Sequence, residues 1–275
     1  MENYAVEILK VVLVGIIEGI TEWLPISSTG HMLLFDEFIP LNASREFKQM
    51  FFVLIQLGAI FAVLLIFWSK MFPFDFKRRP VIKKDIFNMW FKVAFACIPS
   101  AVLGALFDDF LEENFGSAVS IAIMLILYGI MFIVVERWNK TRKPKIRRIG
   151  DITYTLAFAI GMFQVLAMIP GTSRSGATII GALIIGVSRT AAAEFTFFLA
   201  VPTMLGASLL KLVKFGFYFT SQEVIFLILG MFVAFVTSVL VIKFFMSYIK
   251  KHNFEGFGWY RIVLGFLVLL SSYVI

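Results

Sequence analysis

Long uninterrupted apolar runs limit this chain more than any other feature. A helix rises about 1.5 Å per residue, so about 20 apolar residues cross the hydrocarbon layer of a bilayer. Six stretches have that length and little charge: 50–69, 89–107, 117–135, 195–212, 224–245 and 257–274. The composition agrees: 60% of the 275 residues are hydrophobic, 16% are charged and the mean hydropathy is +0.91. Soluble domains lie nearer half apolar and a quarter charged. The sequence therefore reads as an all-α polytopic membrane protein, a single membrane domain over residues 1–275.

Two further apolar stretches, 5–35 and 151–187, are interrupted. The first is broken at Glu18, Glu22 and Pro25, the second over Pro170-Gly171-Thr172-Ser173-Arg174-Ser175-Gly176. In each, the half after the break is too short to complete a crossing. Both are expected to be re-entrant helix–loop–helix hairpins, because irregular backbone at membrane depth persists only where protein or water covers it. Each hairpin precedes three crossings, giving a first repeat at 1–136 and a second at 151–275. Three is odd, so the second repeat is inverted relative to the first and the hairpin tips should meet near the midplane. Gly15-x-x-Glu18 with Pro25-Ile26-Ser27-Ser28-Thr29-Gly30 is echoed by Gly161-x-x-Gln164 with the second break, with a slip of about one residue.

Charge sets the expected orientation. Lys70, Lys77, Arg78, Arg79, Lys83 and Lys84 follow the first crossing, and a basic run from Arg137 to Arg148 follows the third. An acidic loop, Asp108, Asp109, Glu112 and Glu113, lies between them. The positive-inside rule places the basic loops in the cytoplasm and both termini outside. The net charge of +7 has this bland origin; no basic face carries the stacking aromatics that nucleic acid requires. The single cysteine, Cys97, excludes a disulfide framework, and the segment 1–10, with Glu2 and Glu7, lacks the basic start of a signal peptide.

The chemistry gathers at the two breaks. Glu18 and Glu22 share one helix face, at a cost of about 2.5–3.5 kcal/mol for each charged group at the bilayer centre. They fit a metal site, a proton carrier or partners for cationic groups. Ser27, Ser28 and Thr29 suit a helix N-cap, and His31 beside them suits acid–base work. Arg174 needs an anionic partner within an apolar stretch, and its planar fork matches phosphate oxygens. With Ser173, Ser175, Thr178 and the start of a helix, it forms an anion site. Pairing of Arg174 with Glu18 or Glu22 across the tips is compatible with that role. No Walker A loop is present.

The run Glu18-Gly19-Ile20-Thr21-Glu22-Trp23-Leu24-Pro25-Ile26-Ser27-Ser28-Thr29-Gly30-His31 resembles a signature of the undecaprenyl-diphosphate phosphatases, the bacitracin-resistance family. Pro170-Gly171-Thr172-Ser173-Arg174-Ser175-Gly176-Ala177-Thr178 resembles their second signature. Ile55-Gln56-Leu57-Gly58, Gly186-Val187-Ser188-Arg189 and 194–202 are similar as well. The resemblance implies hydrolysis of a polyprenyl diphosphate to its monophosphate and inorganic phosphate, to recycle the lipid carrier of cell-wall synthesis. It implies a bacterial plasma membrane, a site open to the outer face and a divalent cation, Mg²⁺ or Ca²⁺. Glu22, Ser28, His31 and Arg174 would be catalytic, and Ser27, Ser173, Arg174, Ser175 and Thr178 would bind phosphate. Glu18 and Glu22 would hold the metal. Attack by Ser28 and attack by water both stay open, as does the oligomeric state, a homodimer included. The type 2 phosphatidic acid phosphatases are a poorer match: they need a second histidine, and none follows Ser173-Arg174 until His252. The rival class is a transporter or flippase of the polyprenyl phosphate carrier, for which broken helices meeting at the midplane are equally apt.

Overall fold

The computed structural model describes residues 2–76 and 81–274. The expected cytoplasmic cations Lys77, Arg78 and Arg79 lie outside the described residues. The chain is helical, with isolated bridges but no strand among the described residues. Helix α1 (Glu2–Thr21) and α2 (Ser28–Phe38) flank the first break. Then come α3 (Arg45–Leu54), α4 (Gln56–Ile66), the single turn α5 (Trp68–Met71), α6 (Lys84–Phe115) and α7 (Ala118–Asn139). Helices α8 (Tyr154–Leu166) and α9 (Arg174–Ile184) flank the second break. Helices α10 (Arg189–Phe215), α11 (Ser221–Tyr248) and α12 (Glu255–Val274) complete the bundle.

Among the described residues, five segments are long and apolar enough to cross a membrane: Arg45–Ile66, Lys84–Phe107, Ala118–Asn139, Arg189–Phe215 and Ser221–Tyr248. The sixth expected crossing, 257–274, corresponds to α12, which carries the buried Arg261 and is not among the five. The first begins earlier than the apolar run, because Ser44 caps α3 by accepting from the Phe47 amide, and it is jointed at Ile55. Helix α6 runs unbroken through Pro99 and ends only at Phe115. Asp108, Asp109, Glu112 and Glu113 therefore sit in the final turns of a helix, where a loop was expected. Asp109 is tied there by Lys214 of α10 at 2.7 Å.

Polarity is arranged as a lipid solvent demands. Phe61, Leu106, Phe232, Leu240 and Leu270 are exposed, whereas Glu18, Glu22 and Arg261 are buried. Helix α9 is sheathed on all sides, buried continuously from Ser175 to Leu183. Around it, Trp23, Phe67, Phe132, Phe195, Phe197, Phe198, Phe245 and Phe254 form the main core. Two glycines set how closely helices approach. A Cβ on Gly58 would lie 2.0 Å from the Met231 carbonyl oxygen, and one on Gly161 would lie 2.1 Å from that of Ala96. Backbones thus touch at α4–α11 and α8–α6, which fixes α8, and the break that follows it, against α6.

Candidate functional site

Both breaks end in the same device. Ser27 and Ser173 have positive φ, 74° and 71°, and are the only non-glycine residues so placed among those described. Each caps the helix that follows: the Ser27 Oγ accepts from the Gly30 amide and the Ser173 Oγ from the Gly176 amide. A left-handed conformation at a residue with a Cβ costs about 1–3 kcal/mol, and such strain persists where the surroundings hold it. The caps also correct the register of the two halves. Ser27 and Ser173, Gly30 and Gly176, Gly15 and Gly161, and Glu18 and Gln164 are all separated by the same number of residues. The apparent slip came from aligning Pro25 with Pro170, where Gly171 is the residue in step.

The two tips touch. Arg174, the first residue of α9, donates from Nη2 to Glu22 Oε1 at 3.0 Å and from Nη1 to the Thr196 carbonyl of α10 at 2.9 Å. Glu22 Oε2 accepts from the Ser28 hydroxyl at 3.0 Å. One carboxylate therefore joins a nucleophile candidate on the first tip to a guanidinium on the second. The Ser175 hydroxyl lies 3.3 Å from the carbonyls of both Glu22 and Leu24 and 3.2 Å from Ser173 Oγ, bolting α9 to the first tip. Thr178 is fully buried; its hydroxyl donates to the Arg174 carbonyl at 2.8 Å and meets Thr196 Oγ1 at 2.9 Å. Ser175 and Thr178 are thus engaged in holding the tip that presents Arg174.

His31 sits one turn into α2 with both ring nitrogens engaged. Nδ1 is 2.7 Å from the Ser27 carbonyl and Nε2 is 2.7 Å from the Tyr260 hydroxyl, with the two rings stacked 5.6 Å apart. The carbonyl can only accept, so Nδ1 carries a proton, and Nε2 is occupied by the Tyr260 hydroxyl. Neither nitrogen is bonded to Ser28.

Some polar atoms of the site are buried without a partner among the described residues: Glu18 Oε1, Trp23 Nε1, Thr172 Oγ1 and Arg174 Nε. Native interiors pair nearly all such groups, and an exception calls for a cause such as strain, a catalytic role or a bound ion or water. Among the described residues no three His, Cys, Asp or Glu side chains converge on one point. At the first break, the carboxylates available to a cation are those of Glu18, on α1, and Glu22, in the turn that follows it.

Arg261 is the residue that sequence reasoning missed. It is fully buried on α12. Its Nη2 donates to the carbonyls of Gly171 and Thr172, both at 2.9 Å, and its Nη1 reaches the Pro25 carbonyl at 3.3 Å. The guanidinium thereby ties the backbone of one break to that of the other, with Tyr128 packed 5.7 Å from its centre. The signal is in the sequence, since an arginine inside an apolar run calls for a partner, but the hydropathy of 257–274 alone predicts a plain crossing. Tyr260, beside it, was missed for the same reason.

The bacitracin resistance protein BacA family model matches residues 11–267. A protein of Enterococcus faecalis described as an undecaprenyl-diphosphatase is 68% identical over 269 residues, 97% of this chain and 98% of that one. Proteins under the same description from Desulfitobacterium hafniense and Lachnoclostridium phytofermentans are 59% and 60% identical, each alignment covering 96% of both chains.

Proposed function

The chain belongs to the bacitracin resistance protein BacA family, and from that premise we propose that it hydrolyses undecaprenyl diphosphate to undecaprenyl phosphate and inorganic phosphate. Recycling of the lipid carrier for cell-wall synthesis and resistance to bacitracin follow from that activity. The observation that carries the reading is the Ser28–Glu22–Arg174 chain, in which a hydroxyl, a base and a phosphate-binding fork stand in hydrogen-bonded sequence.

The terminal phosphate binds at the two tips, with the Arg174 fork and the amides at the start of α9 taking its oxygens. Ser27 and Ser173 shape the two helix starts against it. Glu22 accepts the Ser28 proton as Oγ attacks phosphorus. The bond to the bridging oxygen breaks, and undecaprenyl phosphate leaves. Water then cleaves the phosphoserine and regenerates Ser28, with inorganic phosphate as the second product. Arg174 stabilises charge on the equatorial oxygens as they leave the ground-state geometry. Glu22 is favoured over His31 as base because His31 is held by Ser27 and Tyr260. His31 instead fixes the start of α2, on which Ser28 rides.

Glu18 Oε1, buried and unpartnered beside Glu22, suits a hard divalent cation such as Mg²⁺ or Ca²⁺, which binds through one or two carboxylates and substrate phosphate oxygens. Glu18 and Glu22 would hold it, and it would offset the charge of the diphosphate.

The membrane arrangement proposed is the inverted repeat, with α12 as a sixth crossing and α1–α2 and α8–α9 as re-entrant pairs. Swapped packing supports it: α1 lies on α11 as α8 lies on α6, and α2 lies on α12 as α9 lies on α7. The basic α7–α8 segment faces the cytoplasm, both termini and the mouth of the site face outward, and the lipid enters from the bilayer.

The test is phosphate release from undecaprenyl diphosphate by the purified, detergent-solubilised protein with and without chelator. Chelator-sensitive release supports the reading. A folded preparation that releases no phosphate but moves the monophosphate across liposomes would replace it with the transporter reading.

A further inference from the structure

Helix α9 has Arg174 at one end and Ile184 at the other, a separation of about 15 Å at the standard rise. At the Ile184 end lies an open cavity of about 560 Å³, lined by the α7–α8 segment, the α9–α10 turn and the end of α11. Its charged lining is lopsided, with Arg142, Lys143, Lys145, Arg189 and Lys250 against the single carboxylate of Glu136. That carboxylate is already committed, since Arg189 Nε meets Glu136 Oε1 at 2.8 Å and the Phe254 amide meets the same oxygen at 3.1 Å. Among the described residues, Lys143, Lys145 and Lys250 pair with no carboxylate.

The rim is built rather than draped. The Lys145 amide donates to the Gly186 carbonyl at 2.9 Å and the Ser188 amide to the Ile146 carbonyl at 2.8 Å, so the basic segment is clamped to the α9–α10 turn. Gly186 takes φ +91° to make that turn. Ser188 through Thr190 bring the positive end of the 27-residue α10 to the cavity wall. Ile184 and Ile249 add an apolar portion beside the cations.

We propose that this cavity is a second anion site, binding the phosphate of a phosphoester with an apolar tail, on the membrane face opposite the hydrolytic site. A cationic rim above an apolar wall between helix ends suits an anionic phospholipid headgroup, whose phosphate would meet the lysines while its acyl chains lie toward the bilayer. The volume exceeds what a free phosphate ion needs. None of the groups in the catalytic chain lines this cavity, so occupancy here and hydrolysis at the tips are separable.

The test uses the purified full-length protein in a neutral detergent, titrated with phosphatidylglycerol or phosphatidylcholine and read by native mass spectrometry. Phosphatidylglycerol is expected to be retained at least about tenfold more tightly than phosphatidylcholine. Each lysine near a lipid phosphate contributes about fivefold, so the triple variant Lys143→Gln, Lys145→Gln, Lys250→Gln should bind it about a hundredfold more weakly. Its release of phosphate from undecaprenyl diphosphate should be unchanged, which reports that it has folded. Lys143→Arg should retain the lipid. Competition with millimolar inorganic phosphate at constant ionic strength separates the sources: failure to displace the lipid assigns the site to lipid phosphate, and displacement assigns it to soluble phosphate. Equal retention of the two lipids by the wild type, or undiminished retention of phosphatidylglycerol by the triple variant, overturns the proposal.

Discussion

Replacing Arg261 by methionine removes a buried cation that holds the carbonyls of Gly171 and Thr172 at 2.9 Å and that of Pro25 at 3.3 Å. A hydrogen bond from a charged donor contributes about 1.5–3 kcal/mol, so the two short bonds amount to roughly 3–6 kcal/mol. Relief of the arginine's own desolvation cost opposes that loss, and the net destabilisation should be about 3 kcal/mol. Catalysis should suffer separately. The three carbonyls lie just before Ser173-Arg174 and Ser27-Ser28, so freeing them lets the tips drift relative to each other. A displacement of about 1 Å costs about a hundredfold in rate. Most affinity for so long a lipid resides in its apolar chain, so kcat should fall about a hundredfold while KM moves less than about threefold. Arg261→Lys keeps the charge, loses the fork and should fall between. The assay is initial-rate phosphate release across substrate concentrations, paired with thermal unfolding of the same detergent preparation. A folded Arg261→Met protein with kcat within about twofold of wild type would refute the positioning argument.

Other outcomes follow from the same geometry. Ser28→Ala should abolish turnover, and acid quenching of the wild type during turnover should trap a phosphoserine at position 28; full turnover by Ser28→Ala would redirect the mechanism to water. Tyr260→Phe frees His31 Nε2 without touching Ser28, so kcat should drop only about tenfold; a loss as deep as that of Ser28→Ala would make Tyr260 part of the chemistry. Gly58→Ala forces a Cβ to within 2.0 Å of the Met231 oxygen. It should destabilise the α4–α11 contact by about 3 kcal/mol, read as a lower unfolding temperature. Glu18→Gln should raise the divalent cation concentration needed for half-maximal activity by about tenfold or more; an unchanged requirement would remove Glu18 from any metal site.

The membrane class was legible because lipid leaves few choices: long apolar helices must satisfy their own backbone. The breaks were legible because Pro25 interrupts a helix and charged groups such as Glu22 and Arg174 are costly inside an apolar stretch. The partners inside the site were harder to read. Nothing local in the sequence says that Ser175 and Thr178 turn toward backbone and a buried hydroxyl, since a serine or threonine beside an arginine suits a phosphate just as well. Helix ends were set by caps such as Ser44 and by the helical continuation through Asp109, neither of which hydropathy registers. Arg261 was hidden by averaging, because one cation barely dents a window of leucine, valine and phenylalanine.

The central claim is that two hairpin tips, distant in sequence, form one catalytic unit through Glu22 and Arg174. The most direct measurement is a double-mutant cycle on phosphate release with Glu22→Gln, Arg174→Ala and the two combined. Groups acting as a unit are strongly non-additive. Each single variant should therefore lose about a thousandfold in kcat, and the double variant should be scarcely slower than either. Losses that multiply to about a millionfold in the double variant would mean that the two residues act independently, and would contradict the account.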